Sequence, residues 1–268
     1  MNKIIGFIGA GNMGQTMVGG IVSSKLIIAQ DIIISDLNEE KLKIVREKFS
    51  VRVTTDSNEL AKEADILVLA VKPNLYPIVI KDIKDSIKKE AIVVTIAAGK
   101  TLNDTETMFG KRIKIVRAMP NTPALVGEGM SAICPNDLVS KEEIKEVINI
   151  FESFGKAEIV EEKLMDAVTS VSGSSPAYVY MFIEAMADAA VLEGMPRDKA
   201  YKFAAQAVLG SAKMVLETGM HPGVLKDMVC SPGGTTIKAV STLEKHGFRN
   251  AIIEAVKDCA TKSKEMSK

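Results

Sequence analysis

Apolar residues follow two different rhythms along this chain. Up to about residue 161 they come as short continuous runs. These are Lys3 to Ile8, Asp31 to Ser35, Val51 to Val53, Ile66 to Val71, Ala91 to Ala97 and Ile113 to Ala118. Ile66 to Val71 contains no polar residue at all. A run of that kind suits a strand buried on both faces, and parallel sheets are covered on both faces by the helices of their crossovers. The stretches between the runs are amphipathic, with helices expected at Met13 to Ser24 and from a cap at Asn38 to Lys48. Met130 to Cys134 and Ala157 to Val160 are expected as added edge strands, flanking a helix at about Lys141 to Phe154. The pattern predicts a doubly wound α/β domain over residues 1–161.

After about Glu161 the strand-like runs stop. Ala, Met, Leu and Glu dominate, punctuated at Pro176, Gly194-Met195-Pro196, Gly219, Pro222 and Ser231-Pro232-Gly233-Gly234. About five helices are expected over 162–268. Ala185 to Ala190 and Ala204 to Ala207 are rich in small residues, which lets helices approach closely. Apolar residues fall on more than one helix face, so a homodimer covering those faces is expected; a self-sufficient helical bundle is the alternative.

Composition narrows the classes. The chain has 268 residues, 47% of them apolar and 25% charged, so a sizeable core is available. Lys plus Arg equals Asp plus Glu, 34 against 34. That balance leaves no electrostatic footprint for nucleic acid or an anionic membrane, and neither is expected as a partner. Cys134, Cys230 and Cys259 are widely spaced and odd in number, which fits idle thiols in a reducing cytoplasm rather than a disulfide framework or zinc site. No signal peptide and no apolar run of membrane-spanning length is read, and a cytoplasmic location is expected.

Gly9-Ala10-Gly11-Asn12-Met13-Gly14 matches GxGxxG, follows a strand and opens a helix. The glycines suit a tight turn, close approach of backbone to a pyrophosphate, and close helix–strand packing, and the helix N-terminus offers free N–H groups to the anion. A tight turn without ligand is the plainer alternative. Asp36 follows Gly14 by 22 residues, where an acid is expected to bond the adenosine ribose. A carboxylate there repels a 2′-phosphate, the nearest cation is Lys41, and NADH is favoured over NADPH. Equally, Asp36 can serve only as a cap for the helix near Asn38.

Three further strand ends carry small or stiff residues: Ala70-Val71-Lys72-Pro73, Ile96-Ala97-Ala98-Gly99 and Met119-Pro120-Asn121-Thr122-Pro123. In open α/β sheets ligands sit beyond the carboxyl ends of strands, so these loops are candidate cofactor contacts. In the helical part, Ser231-Pro232-Gly233-Gly234-Thr235-Thr236 precedes a helix expected at Ile237 to Lys245. Ser, Gly and Thr at a helix N-terminus can hold a carboxylate, or Ser231 or Thr235 can simply cap the helix. Only His221 and His246 occur, in no metal-ligand spacing, and no metal is expected. With no obvious general acid, reduction of an imine that already carries its proton suits the sequence better than reduction of a carbonyl.

The motifs GAGNMG, AVKP, IAAG, MPNTP, SGSSPAY (Ser172 to Tyr178) and HPGVLKDMVCSPGGTTI (His221 to Ile237) together resemble the pyrroline-5-carboxylate reductase family from end to end. The resemblance implies an N-terminal Rossmann domain and a C-terminal helical dimerisation domain. It implies a site built between the cofactor domain of one subunit and the helical domain of its partner. The implied reaction is reduction of L-1-pyrroline-5-carboxylate to L-proline by NADH or NADPH. Carried over by motif, Ser231, Gly233, Gly234 and Thr235 hold the substrate carboxylate, and Thr236 bonds the ring nitrogen. Gly9, Gly11, Gly14, Lys72 and the Ala97-Ala98-Gly99 turn hold the cofactor, with Asn121 near the nicotinamide. Many family members carry Asn-Arg where this chain has Asp36-Leu37, which again favours NADH. Other expectations are a hydroxyacid reductase of the same architecture and a cofactor-sensing module without catalysis.

Overall fold

The computed structural model describes residues 3–266. In chain order the first elements are β1 (Ile5–Ile8), α1 (Asn12–Ser24), β2 (Ile32–Ser35), α2 (Glu39–Phe49), β3 (Arg52–Thr54), α3 (Ser57–Glu63) and β4 (Ile66–Leu69). There follow α4 (Tyr76–Ile83), β5 (Ile92–Thr95), α5 (Leu102–Phe109), β6 (Lys114–Met119), β7 (Gly129–Pro135), α6 (Lys141–Glu152) and β8 (Gly155–Ile159). The helical part comprises α7 (Met165–Val168), α8 (Ser175–Leu192), α9 (Arg197–Thr218), α10 (Pro222–Met228), α11 (Thr235–Lys245) and α12 (Phe248–Met266).

The strands form one sheet in the order β3-β2-β1-β4-β5-β6-β7-β8. Every pairing is parallel except β6 with β7. Apart from the edge strand β3, the continuous apolar runs do lie buried on both faces, and their period of two sorts them into two cores. Ile5, Phe7, Ile66, Val68, Ile92 and Val94 meet Met17 and Ile21 of α1 and Phe151 of α6 on one face. Their neighbours Ile8, Leu67, Leu69 and Val93 meet Leu60, Ile80, Ile83 and Phe109 of α3, α4 and α5 on the other. Each such aliphatic side chain contributes roughly 1.5–3 kcal/mol on burial. Phe151 and Phe154 pack edge to face with centroids 5.5 Å apart.

Several expectations shift. β7 is not an edge strand; it lies between β6 and β8, and only β8 closes that side. The Met119–Pro123 segment runs into a short 3-10 turn at Thr122–Val126, which reverses the chain into antiparallel β7. Pro73 likewise opens a 3-10 turn, with α4 starting at Tyr76. β4 ends at Leu69, so Ala70 and Val71 leave the ladder. α11 begins two residues before the expected Ile237. The Ser172 stretch forms a π-helical turn, Thr169–Gly173, between α7 and α8. Asn38 does cap α2, accepting a hydrogen bond from the Lys41 N–H.

The chain divides into two compact units. One holds the described residues through Ser174 together with those from Cys259 onward; the other is Ser175–Asp258. In the second unit Ala187, Ala200 and Ala204 are buried between α8 and α9, the small residues permitting close helix approach. The same unit leaves large apolar side chains open in the single chain, among them Met181 at 69% and Phe203 at 67% exposed. Among the described residues no helix is long and apolar enough to cross a membrane.

Candidate functional site

The order of strands reverses direction between β1 and β4, so the chain connections that follow them run to opposite sides. A cleft of about 1070 Å³ opens at this point. Gly9 and Gly11 after β1, Asp36 after β2, and Ala70, Val71 and Lys72 after β4 all line it.

Two of the three glycines have a steric reason within the protein. Gly9 adopts φ +111°, and a Cβ there would stand 2.6 Å from the Ala70 carbonyl oxygen. A Cβ on Gly14 would stand 2.2 Å from the Gly9 carbonyl oxygen, so α1 can pack this close to β1 only without a side chain. Gly11, by contrast, has ordinary φ and nothing within 4 Å of a Cβ position, although it faces the cleft. It is also the N-cap of α1, with no side-chain cap over it. The helix therefore presents free N–H groups and positive potential to the space beside Gly11, which fits the diphosphate of a dinucleotide.

Asp36 is held from two sides. Its Oδ2 accepts from the Ala10 N–H at 2.8 Å and its Oδ1 from the Asn38 N–H at 2.9 Å. Ala10 is thus buried and its amide spent within the protein. Asn12 begins α1, and Met13 packs against the core. Lys41, Lys81 and Ser57 also line the cleft. Spacing alone could not place Ser57 or Lys81 there, because each comes from a helix packed across the sheet from the glycine loop.

The remaining expected cofactor residues lie outside the cleft lining. Pro73 starts its 3-10 turn. Ala97 is buried with the α3–α5 core, Ala98 is half-buried, and a Cβ on Gly99 would meet Met266 at 2.9 Å. Asn121 is buried and its amide is engaged: Oδ1 accepts from the Met130 N–H at 2.9 Å, and Nδ2 donates to the Ser172 carbonyl at 3.2 Å. It ties the turn before β7 to the π-helical turn.

In the second unit, Ser231 to Gly234 form a turn closed by the Gly234 N–H on the Ser231 carbonyl at 3.0 Å, with Gly233 at φ +69°. Gly234 is the N-cap of α11 and no side chain caps it. Capping by Ser231 or Thr235, one of the two readings of this stretch, is therefore not what the turn does. Thr235 and Thr236 are the first two residues of the helix, whose first turn holds no acidic residue. A Cβ on Gly234 would stand 2.3 Å from Ser231 Oγ, so the hydroxyl leans over the bare helix end. Free N–H groups beside two or three hydroxyls can hold a carboxylate.

Among the described residues no group of His, Cys, Asp and Glu could hold a metal ion, and all three cysteines are free thiols. Burial, with Glu162 nearby, pushes the Cys134 thiol up, so it is no ready nucleophile.

Comparison with known proteins identifies the family. A family model described as pyrroline-5-carboxylate reductase dimerisation matches residues 162–266. One described as NADP oxidoreductase, coenzyme F420-dependent, matches residues 4–99. The pyrroline-5-carboxylate reductase of Escherichia coli K12 is 54% identical over 268 residues, covering 100% of both chains. That of Methanosarcina acetivorans is 47% identical over 267 residues, covering 100% of this chain and 99% of the relative. The crystal structure of Plasmodium falciparum pyrroline carboxylate reductase with NADP bound superposes with a TM-score of 0.91 at 35% identity, covering 100% of this chain and 99% of that one. Identity of this extent over the full length shows that the chain belongs to the pyrroline-5-carboxylate reductase family.

Proposed function

We propose that this chain reduces L-1-pyrroline-5-carboxylate to L-proline, using a nicotinamide dinucleotide as hydride donor. The observation that carries this reading is the pairing of two anion-suited sites in one family member. One is the switch-point cleft beside the bare N-terminus of α1; the other is the bare N-terminus of α11 behind Ser231 to Gly234. A cofactor-sensing module needs only the first.

When bound, the reduced nicotinamide would supply the hydride to the imine carbon of the ring, the one that becomes C5 of proline. Ser231, Gly233, Gly234 and Thr235 hold the substrate carboxylate with hydroxyl and N–H groups. Thr236 accepts the N–H of the protonated imine and aligns it. That nitrogen already carries its proton and keeps it as the carbon–nitrogen double bond becomes single, so no general acid is required. Positioning of the two reactants supplies most of the acceleration.

Residues 1–161 act in this reading as the dinucleotide-binding domain and 162–268 as the dimerisation and substrate-binding domain. A second copy of the chain covers the apolar side chains that α8 and α9 leave open, as the family model for this region suggests. NADH is favoured over NADPH. Two backbone N–H groups pin the Asp36 carboxylate in the cleft wall, so it cannot swing away from an incoming 2′-phosphate. The enzyme works in the cytoplasm, where its thiols stay reduced.

The test is loss of absorbance at the reduced-nicotinamide band with purified protein and pyrroline-5-carboxylate, run with NADH and NADPH in parallel. Oxidation with proline formed supports the reaction, and the faster cofactor decides the Asp36 argument. Cofactor binding without oxidation would sink the proposal.

A further inference from the structure

Among the described residues Tyr76 leads the fully buried side chains by size, at 0% exposure, yet it carries a polar hydroxyl. A phenylalanine would fill the same volume. A buried hydroxyl is tolerated only when bonded, so its partners indicate what it is for. The Tyr76 hydroxyl donates to the Leu69 carbonyl at 2.9 Å and accepts from Thr95 Oγ at 2.8 Å. Leu69 and Thr95 are the last residues of β4 and β5 and are direct partners in that ladder. The hydroxyl therefore sits in the fork where two neighbouring strands end. Beyond one tine lie Ala70, Val71 and Lys72 of the cleft wall; beyond the other lies the small-residue turn Ala97-Ala98-Gly99.

We propose that Tyr76 is a positioning residue for the dinucleotide: its hydroxyl, locked between the ends of β4 and β5, sets the spacing of the two loops that follow them. The inference rests on reading the cleft as the cofactor site. Tyr76 touches no reacting atom; it acts through Leu69 and Thr95. Burial pushes its phenol up to about 12, so the hydroxyl remains a donor throughout the range in which an enzyme works.

The experiment compares Tyr76→Phe, Thr95→Val and Thr95→Ser in the full chain. It reads the Kd of NADH and NADPH by fluorescence titration, the KM of pyrroline-5-carboxylate, and Tm. Losing one buried hydrogen bond of this kind predicts a rise in cofactor Kd of roughly three- to tenfold in Tyr76→Phe and Thr95→Val, with substrate KM within about twofold of wild type. Thr95→Ser keeps the hydroxyl and is expected to restore cofactor affinity. A lowered Tm with unchanged cofactor Kd, or equal rises for cofactor and substrate, would overturn the proposal and leave Tyr76 a core residue. Should Tyr76→Phe fail to fold, the Thr95 pair reads the same contact. Cofactor titration needs no turnover, so failure of the proposed reaction is seen separately.

Discussion

The backbone N–H of Ala10 donates to the carboxylate of Asp36 across 2.8 Å, joining the glycine loop to the end of β2. The acid that could recognise a ribose is also the fastener of the loop that faces the diphosphate. Replacing it has two separable effects. Asp36→Ala should weaken both cofactors by loosening the loop, and should raise kcat/KM for NADPH relative to NADH by removing the anion. A single charge a few ångströms from a phosphate is worth about 1–4 kcal/mol before screening, so the ratio should move by roughly tenfold or more. An unchanged ratio would mean that Asp36 serves the loop alone.

Gly11 and Gly14 should fail differently. Gly14→Ala drives a Cβ into the Gly9 carbonyl and should lower Tm along with activity. Gly11→Ala meets no protein atom, so Tm should stay within about 2 °C of wild type while cofactor affinity falls. Melting curves and cofactor titrations on the two variants check this. Equal cofactor affinity in Gly11→Ala and wild type would remove Gly11 from the binding surface.

Thr236 is the second residue of α11, behind an uncapped N-terminus. Thr236→Ala should cut turnover by roughly tenfold, the worth of one hydrogen bond to a charged group, and leave cofactor Kd unchanged. Thr236→Ser should retain most of the rate. Wild-type turnover in the alanine variant would end the assignment of the ring nitrogen to this hydroxyl.

Asn121 spends its amide on Met130 and Ser172. Asn121→Ala takes a partner from each of these part-buried groups and should cost about 1 kcal/mol, read as a lowered Tm. A Tm equal to that of wild type would mean the tie carries no stability.

Acid should weaken the first unit in a defined window. Burial raises the Glu143 carboxyl, but the hydrogen bond from Lys114 and those from Ser140 together hold it below its ordinary 4.5. Asp65 is likewise held below 3.8, burial being outweighed by Lys88 and by the Ile4 N–H. With folded values below unfolded ones, the stabilisation is complete above about pH 4.5 and is lost as pH falls through the folded values. Tm should drop over that span. Glu143→Gln should melt lower at pH 7 and lose less on acidification; parallel curves for the two proteins would contradict this.

Much was legible in the residues alone. Continuous apolar runs marked the buried strands, because a strand covered on both faces can offer few polar positions to either. The GAGNMG loop was legible because its glycine spacing, between a strand and a helix, is itself a local pattern, although the Gly9 constraint comes from Ala70. The Asn38 cap is equally local.

Other features needed the fold. That β7 is interior and antiparallel depends on how the Thr122–Val126 turn reverses the chain, which apolar patterning does not encode. Ser57 and Lys81 reach the cleft from helices on the other side of the sheet. Asp36 admitted two local readings, cap or ribose ligand; its bond to Ala10 spans 26 residues and exists only because parallel pairing sets β1 beside β2. Tyr76 gains the partners of its hydroxyl only because β4 and β5 end side by side next to it. Sequence thus determined the elements and the local chemistry of the loops, where the controlling contacts lie within a turn or a strand. Tertiary structure decided which distant groups share one hydrogen bond, because that depends on strand order and on the face each helix covers.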